Sequence, residues 1–237
     1  MNPLISIQMK SSNRQIKSKA FLGLLFLLVL LWLGLFLPAW SLYFWQAWVF
    51  WLIFSFSTIL VTLYLLKKDL KLLETRTKAG PTAEVEKSQK IIQIFASIFF
   101  ISLVLIPGFD HRYHWSNVPV FLVITGDIFV LLGFIIVFLV FKQNSYASGI
   151  IETDTEQKVI TTGPYRIVRH PMYSGGLLLL FFMPLALGSY WALLFALLLF
   201  IIIVLRLLYE EKFLMQNLPR YEEYCMKTRY RLIPWIW

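Results

Sequence analysis

Four stretches, at about residues 20–37, 43–66, 91–107 and 119–141, carry almost no charged side chain. A fifth, at about 175–208, is longer still. At about 1.5 Å of rise per residue, roughly 20 helical residues cross the roughly 30 Å hydrocarbon core of a bilayer. Each of the four is long enough for one crossing. Of the whole chain, 59% is hydrophobic and 15% charged, with a mean hydropathy of +0.70. Soluble domains hold about 25% charged residues, so a large buried core does not explain the excess. The first run exceeds a signal-peptide core and has no clear small-residue cleavage site before Trp40, so it reads as a retained first helix.

The fifth run is too long for one ordinary span. Pro184 and the Gly188-Ser189 pair interrupt it, leaving arms at about 174–187 and 189–210. These form either a hairpin that returns to its side of entry or one long kinked helix. Charge bears on the choice. Lys10, Arg14, Lys17 and Lys19 precede the first run, with no acid among them. Segment 67–90 carries seven Lys or Arg, segment 142–175 four, and the chain from Arg206 onward six. With the N-terminus inside and the last run folded as a hairpin, every one of the 22 basic residues except Arg112 lies on the cytoplasmic side. The expected architecture is therefore all-α: a polytopic integral membrane protein with four spanning helices, a C-terminal helical hairpin and a short amphipathic tail. The formal charge of +9 follows from orientation and contact with anionic lipid, and needs no nucleic acid. The punctuated stretch from Lys78 to Thr82 reads as a solvated loop.

Dense polar chemistry lies in 143–176 and 206–237, which a hairpin brings together at one membrane boundary. Gly163-Pro164-Tyr165 makes a turn, and Pro171 biases His170 away from helical geometry. Ser174-Gly175-Gly176 is expected to open the next helix with free N–H groups that favour an anion. Tyr165 and Tyr173 offer electron-rich faces to a cation such as a sulfonium. Arg206 and Glu210 lie one turn apart, either as a local ion pair or, at the inner end of a membrane helix, as working charges. The tail from Tyr221 to Pro234 mixes aromatic and basic residues like an interfacial amphipathic segment.

The pattern TTGPYxxVRHPMYxG, then YEExxL, then YxxYxxxxRYRLIPxxW resembles the isoprenylcysteine carboxyl methyltransferase family, and most its bacterial branch. The resemblance covers about 142–237, so residues 1–141 form an N-terminal set of four helices and 142–237 a methyltransferase-like region. It implies a membrane-embedded enzyme using S-adenosylmethionine (SAM), in a bacterial inner membrane with its site facing the cytoplasm. The cofactor contacts it implies are Gln157, Lys158, Val159, Ile160, Tyr165, His170, Pro171, Met172, Tyr173 and Glu210. It also implies that Arg206 binds the acceptor carboxylate, and Arg206 and Glu210 form the candidate catalytic pair. Where eukaryotic members carry a cofactor-binding glutamine, this chain reads Gly149-Ile150-Ile151. The partners implied are the lipid bilayer and a lipophilic, prenyl-like acceptor, methylated on a carboxylate or thiol.

Such a transfer needs alignment and charge neutralisation more than a general base. An NADPH-dependent reductase of the sterol type, a phospholipid N-methyltransferase and a non-enzymatic scaffold are the alternatives. His111 and His114, on the outer side, read as a surface loop, with no metal expected. Asp127, inside the fourth run, is either functional or an acid bonded to a neighbouring helix near the outer interface. Cys225 has no partner for an internal disulfide.

Overall fold

The computed structural model describes residues 3–77, 80–84, 86–151 and 157–237, and among these the secondary structure is helical throughout. The elements are α1 (Pro3–Ala39), α2 (Trp45–Lys68), α3 (Leu70–Thr77), α4 (Lys87–Tyr113), α5 (Val120–Gln143), α6 (Pro171–Ala186), α7 (Ala192–Asn217) and α8 (Tyr221–Lys227). Five helices are long and apolar enough to cross a membrane: α1 from Arg14, α2, α4, α5 and α7. Their outward side chains are apolar, as with Phe21, Leu22, Phe26, Leu52 and Phe56. A hydrocarbon solvent accepts such a surface and water does not.

The last apolar run is a hairpin. Gly188 turns the chain at φ +68°, a left-handed conformation glycine adopts without strain. Tyr173 then meets Glu210, and Phe181 packs on Phe200 at 5.8 Å between ring centroids. Partner numbers that fall on one arm as they rise on the other require antiparallel helices. The turn is anchored at its far end by Asp110 of α4, which is buried. Asp110 accepts from the backbone N–H and hydroxyl of Ser116, each at 2.7 Å, and from the Ser189 hydroxyl. A buried carboxylate with three donors is satisfied, so this knot fixes the pole at the hairpin turn.

Close backbone approach holds α5 against α6. A Cβ on Gly126 would stand 2.4 Å from the Ala186 nitrogen, and one on Gly133 would stand 2.8 Å from the Gly175 carbonyl oxygen. Phe129 and Phe182 stack between these points at 4.1 Å. Small residues at such seams let membrane helices gain van der Waals contact that hydrocarbon solvent does not otherwise drive. The same device joins α1 to α4, where Gly108 lies under the Leu35 carbonyl. On the other side of α1, the Trp51 indole N–H donates to the Leu28 carbonyl of α1 at 3.0 Å, tying α2 in place.

Of the stretch from Lys78 to Thr82 expected as a solvated loop, Lys78 and Ala79 lie outside the described residues, and Gly80 to Thr82 form a turn with Thr82 exposed. Just before it α3 forms, started by the Asp69 carboxylate accepting from the Leu72 N–H at 2.9 Å. Its Leu72 and Leu73 are buried against Leu65, Phe141 and Ala147, and Glu84 beyond it is buried as well. Apolar spacing within a charged segment, rather than net polarity, decided that burial. Two expectations need correction. His111 lies within α4 and not in a loop, with its ring stacked on Phe44 at 4.3 Å. Finally, α6 opens at Pro171 and not at Ser174, whose N–H already bonds the His170 carbonyl at 3.1 Å. The anion-binding helix start expected at Ser174 is therefore absent. Asp127 is buried on α5, and its Oδ1 makes no hydrogen bond among the described residues.

Candidate functional site

At the pole opposite the Asp110 knot, the C-terminal ends of α5 and α7 and the N-terminal end of α6 surround a cavity of about 500 Å³. Small-molecule sites span about 300–1,000 Å³. Every residue that the family resemblance implies for cofactor or acceptor lines it: Gln157, Lys158, Val159, Ile160, Tyr165, His170, Pro171, Met172, Tyr173, Arg206 and Glu210.

The wall begins at Gly163, whose φ of +59° permits the turn, and Pro164 then sets a single 3-10 turn over Gly163–Arg166. This delivers the Tyr165 hydroxyl to Asn144 at the end of α5, whose side-chain N–H donates at 2.7 Å. Burial pushes the Tyr165 hydroxyl up to about 12, so it stays neutral. The Tyr224 hydroxyl of α8 donates to the Tyr165 carbonyl at 2.7 Å, locking the turn from the other side. Beyond the turn the chain is extended and pairs with the tail: Arg169 N–H to Tyr230 at 2.9 Å, and His170 N–H to Arg231 at 3.0 Å. The helix then restarts at Pro171, the first-turn position where proline's missing donor costs nothing.

Arg169 turns away from ligand duty. Its Nε donates to the Thr228 carbonyl at 2.7 Å, and its Nη2 to the carbonyls of Cys225 at 3.3 Å and Arg229 at 3.2 Å. Its Nη1 meets Glu211 at 3.0 Å. Glu211, buried on α7, also accepts from Arg231 Nε at 2.7 Å. His170 Nε2 stands 3.4 Å from Glu211 without hydrogen-bond geometry. Glu211 is thus the structural acid of the Tyr209-Glu210-Glu211 stretch, and it is a residue that the reading from sequence did not single out. The readable signal was three basic residues, Arg169, His170 and Arg231, in segments expected to meet.

The tail, expected at the interface, also closes the site. Tyr221, Tyr224 and Cys225 of α8 are buried against Val159, Tyr165 and Leu214. Burial raises the Tyr221, Tyr224 and Cys225 groups above their ordinary values, which keeps them protonated and the lone thiol unreactive. Ile233, Trp235 and Ile236 of the tail's last residues stay exposed, Trp235 and Ile236 the most, as an interfacial segment requires.

Arg206 and Glu210 do not pair with each other. Arg206 Nη1 donates to Glu84 Oε1 at 2.7 Å, and its Nη2 donates to the Gly149 carbonyl at 3.1 Å. Both charged groups of the Glu84 pair are nearly inaccessible to solvent. Glu210 instead accepts the Tyr173 hydroxyl at 2.5 Å. Beside Arg169 and Arg206, a third guanidinium lines the cavity: Arg76 of α3 donates from Nη1 to the Ser148 carbonyl at 2.9 Å and to the Met172 sulfur at 3.7 Å. Glu84 and Arg76 lie far upstream of the motif, and nothing in the sequence marked either one. Two polar atoms on the wall, Tyr221 Oη and His170 Nε2, are buried with no hydrogen-bond partner among the described residues. Unsatisfied buried donors and acceptors on a cavity wall are what a polar ligand satisfies.

Residues 121–221, from α5 to the first residue of α8, match the family described as phospholipid methyltransferase. Over that part the chain is similar to membrane methyltransferases. No curated protein matches the chain.

Proposed function

We propose that this protein is a membrane-embedded, SAM-dependent methyltransferase acting on a lipophilic acceptor. The observation that carries the reading is that the turn of Tyr165, the His170–Tyr173 start of α6 and Glu210 of α7 converge on one shared cavity of about 500 Å³. The match of residues 121–221 to phospholipid methyltransferases supports it independently.

The cavity suits the cofactor chemically. Val159, Ile160, Leu214 and Leu218 offer apolar surface for a purine. Glu210 and the unpartnered Tyr221 and His170 atoms offer polar contacts to ribose and amino acid groups. Tyr165 and Tyr173 supply neutral aromatic faces for a sulfonium. Gln157, Lys158, Pro171 and Met172 complete the holding residues. When bound, SAM supplies an electrophilic methyl that a nucleophile takes in line as the carbon–sulfur bond breaks. The chain's own contribution is to align the reactants, exclude water and fix the charges around them.

Two acceptor classes follow from the two resemblances. A carboxylate or thiol acceptor of the isoprenylcysteine type would use Arg206 as its anchor. The Glu84–Arg206 pair favours the second class, an amine-bearing lipid, because Arg206 already has a carboxylate at 2.7 Å. The excess of Lys and Arg around this pole supports a site on the cytoplasmic side, with the N-terminus.

The test is isothermal titration of the purified protein with SAM, with S-adenosylhomocysteine and with NADPH. Saturable binding of the first two and none of the third is expected. Undetectable binding of both adenosyl ligands at millimolar concentration ends the reading, and NADPH binding alone replaces it with a reductase.

A further inference from the structure

Three arginines line the cavity, and they are not equivalent. Arg169 is held by Glu211 at 3.0 Å and by tail carbonyls. Arg206 is neutralised: Glu84 approaches it at 2.7 Å, and both side chains are largely withdrawn from solvent. Arg76 has no such partner among the described residues. Its two hydrogen bonds go to neutral acceptors, the Ser148 carbonyl and the Met172 sulfur, and its plane lies 5.4 Å from the Phe141 ring. Burial weakens its hold on the proton, as desolvation does when no carboxylate compensates. A buried cation is costly unless an anion completes it, and here the space beside it is a ligand cavity.

The geometry also says from where the anion comes. Val137 lies six residues inside the end of α5 and Leu179 eight residues inside the start of α6, and both line the cavity. At about 1.5 Å per residue, the cavity reaches about 9–12 Å into the apolar layer of the bundle. Arg76 stands on α3, immediately after α2 leaves that layer. A molecule with chains among Val137 and Leu179 and its head at the boundary places an anionic head beside Arg76.

We propose that Arg76 is the anion-binding residue of the acceptor subsite. It takes the head-group phosphate or carboxylate of a lipid, while the Glu84–Arg206 pair is a fixed strut that leaves Arg206 unavailable for that role. The proposal rests on the methyltransferase reading for what happens next to the bound lipid, but not for the binding itself. Guanidinium groups suit such anions because their paired N–H groups match two oxygens at once.

The test is titration of the full-length protein in neutral detergent with three single-chain lipids: lauroyl lysophosphatidate, laurate and the uncharged monolaurin. Wild type is expected to prefer one of the anionic lipids over monolaurin by about tenfold or more, the size of one charge-assisted contact. The phosphate and carboxylate arms identify which head group the site takes. Arg76→Ala is expected to abolish the preference and Arg76→Lys to retain part of it. Both should keep S-adenosylhomocysteine affinity within about twofold, because the one link of Arg76 to the proposed cofactor residues is its long 3.7 Å contact with the Met172 sulfur. The proposal is overturned if wild type shows no anion preference, or if Arg76→Ala keeps it. It is equally overturned if Arg206→Ala abolishes the preference while Arg76→Ala does not, or if Arg76→Ala loses both ligands together, which marks a structural role. Wild type that prefers anionic lipid but never binds S-adenosylhomocysteine sinks the methyltransferase reading and leaves the lipid subsite standing.

Discussion

At the scale of single residues, two adjacent glutamates on α7 have separated into different trades. Glu210 faces the cavity and holds one hydroxyl, that of Tyr173. Glu211 faces the tail and holds Arg169 and Arg231, with His170 beside it. One residue of helix is about 100° of rotation, enough to put neighbours on different faces. The consequences of neutralising each differ. Removing one member of a buried ion network costs about 3–5 kcal/mol, less here because Arg231 is partly exposed. Glu211→Gln is therefore expected to lower the thermal unfolding temperature and to open the tail to trypsin at Arg229 and Arg231. Glu210→Gln should do neither, while weakening S-adenosylhomocysteine binding. Equal melting temperatures for the two variants would show that the division of labour described here is wrong.

Elements in this protein meet through missing side chains. Along α5, Gly126 and Gly133 admit the backbone of α6, which in turn carries Tyr173 to Glu210. A methyl at Gly133 would sit 2.8 Å from a backbone carbonyl that has no freedom to yield. Overpacking of this kind costs about 1–3 kcal/mol. Gly133→Ala is expected to lower stability by that order and to reduce cofactor affinity too, because separating α5 from α6 widens the cavity. Gly176, whose Cβ would meet nothing within 4 Å, provides the control: Gly176→Ala should leave the fold intact. A calorimetric scan of both in one detergent decides the matter, and a Gly133→Ala protein as stable as wild type would refute the seam. This scale was partly legible beforehand. The breaks at Pro184 and Gly188 marked two arms, yet hairpin and kinked helix remained open, because a local break does not say which way the chain goes next. The Asp110–Ser189 contact, 79 residues apart in sequence, fixes the turn that the break only permitted.

For the whole molecule, the polar site lies at one pole and the Asp110 knot at the other. The distribution of lysines and arginines in the sequence leads us to propose that the first faces the cytoplasm. Tyr43, between α1 and α2, and Ile236, in the tail, are both broadly exposed. In a Cys225→Ser background, Tyr43→Cys is expected to react with a membrane-impermeant maleimide added to intact cells. Ile236→Cys should react only after the membrane is opened. Labelling of both from outside, or of neither pole selectively, would overturn the orientation.

Apolar length and charge asymmetry are properties of contiguous segments, and the solvent alone converts them into helices and an orientation. For that reason the sequence by itself determined the helical membrane architecture, the two-armed last run and the neighbourhood of residues 157–173 and 206–210. Pairing between distant segments has no such local signature. That α3 is a packed helix, that Glu84 reaches Arg206 across 122 residues, that Glu211 rather than Glu210 binds the tail, and that Arg76 is left facing the cavity were decided only in three dimensions. A buried charge takes whichever counter-charge the packing of other helices brings within reach, and no stretch of sequence carries that information alone.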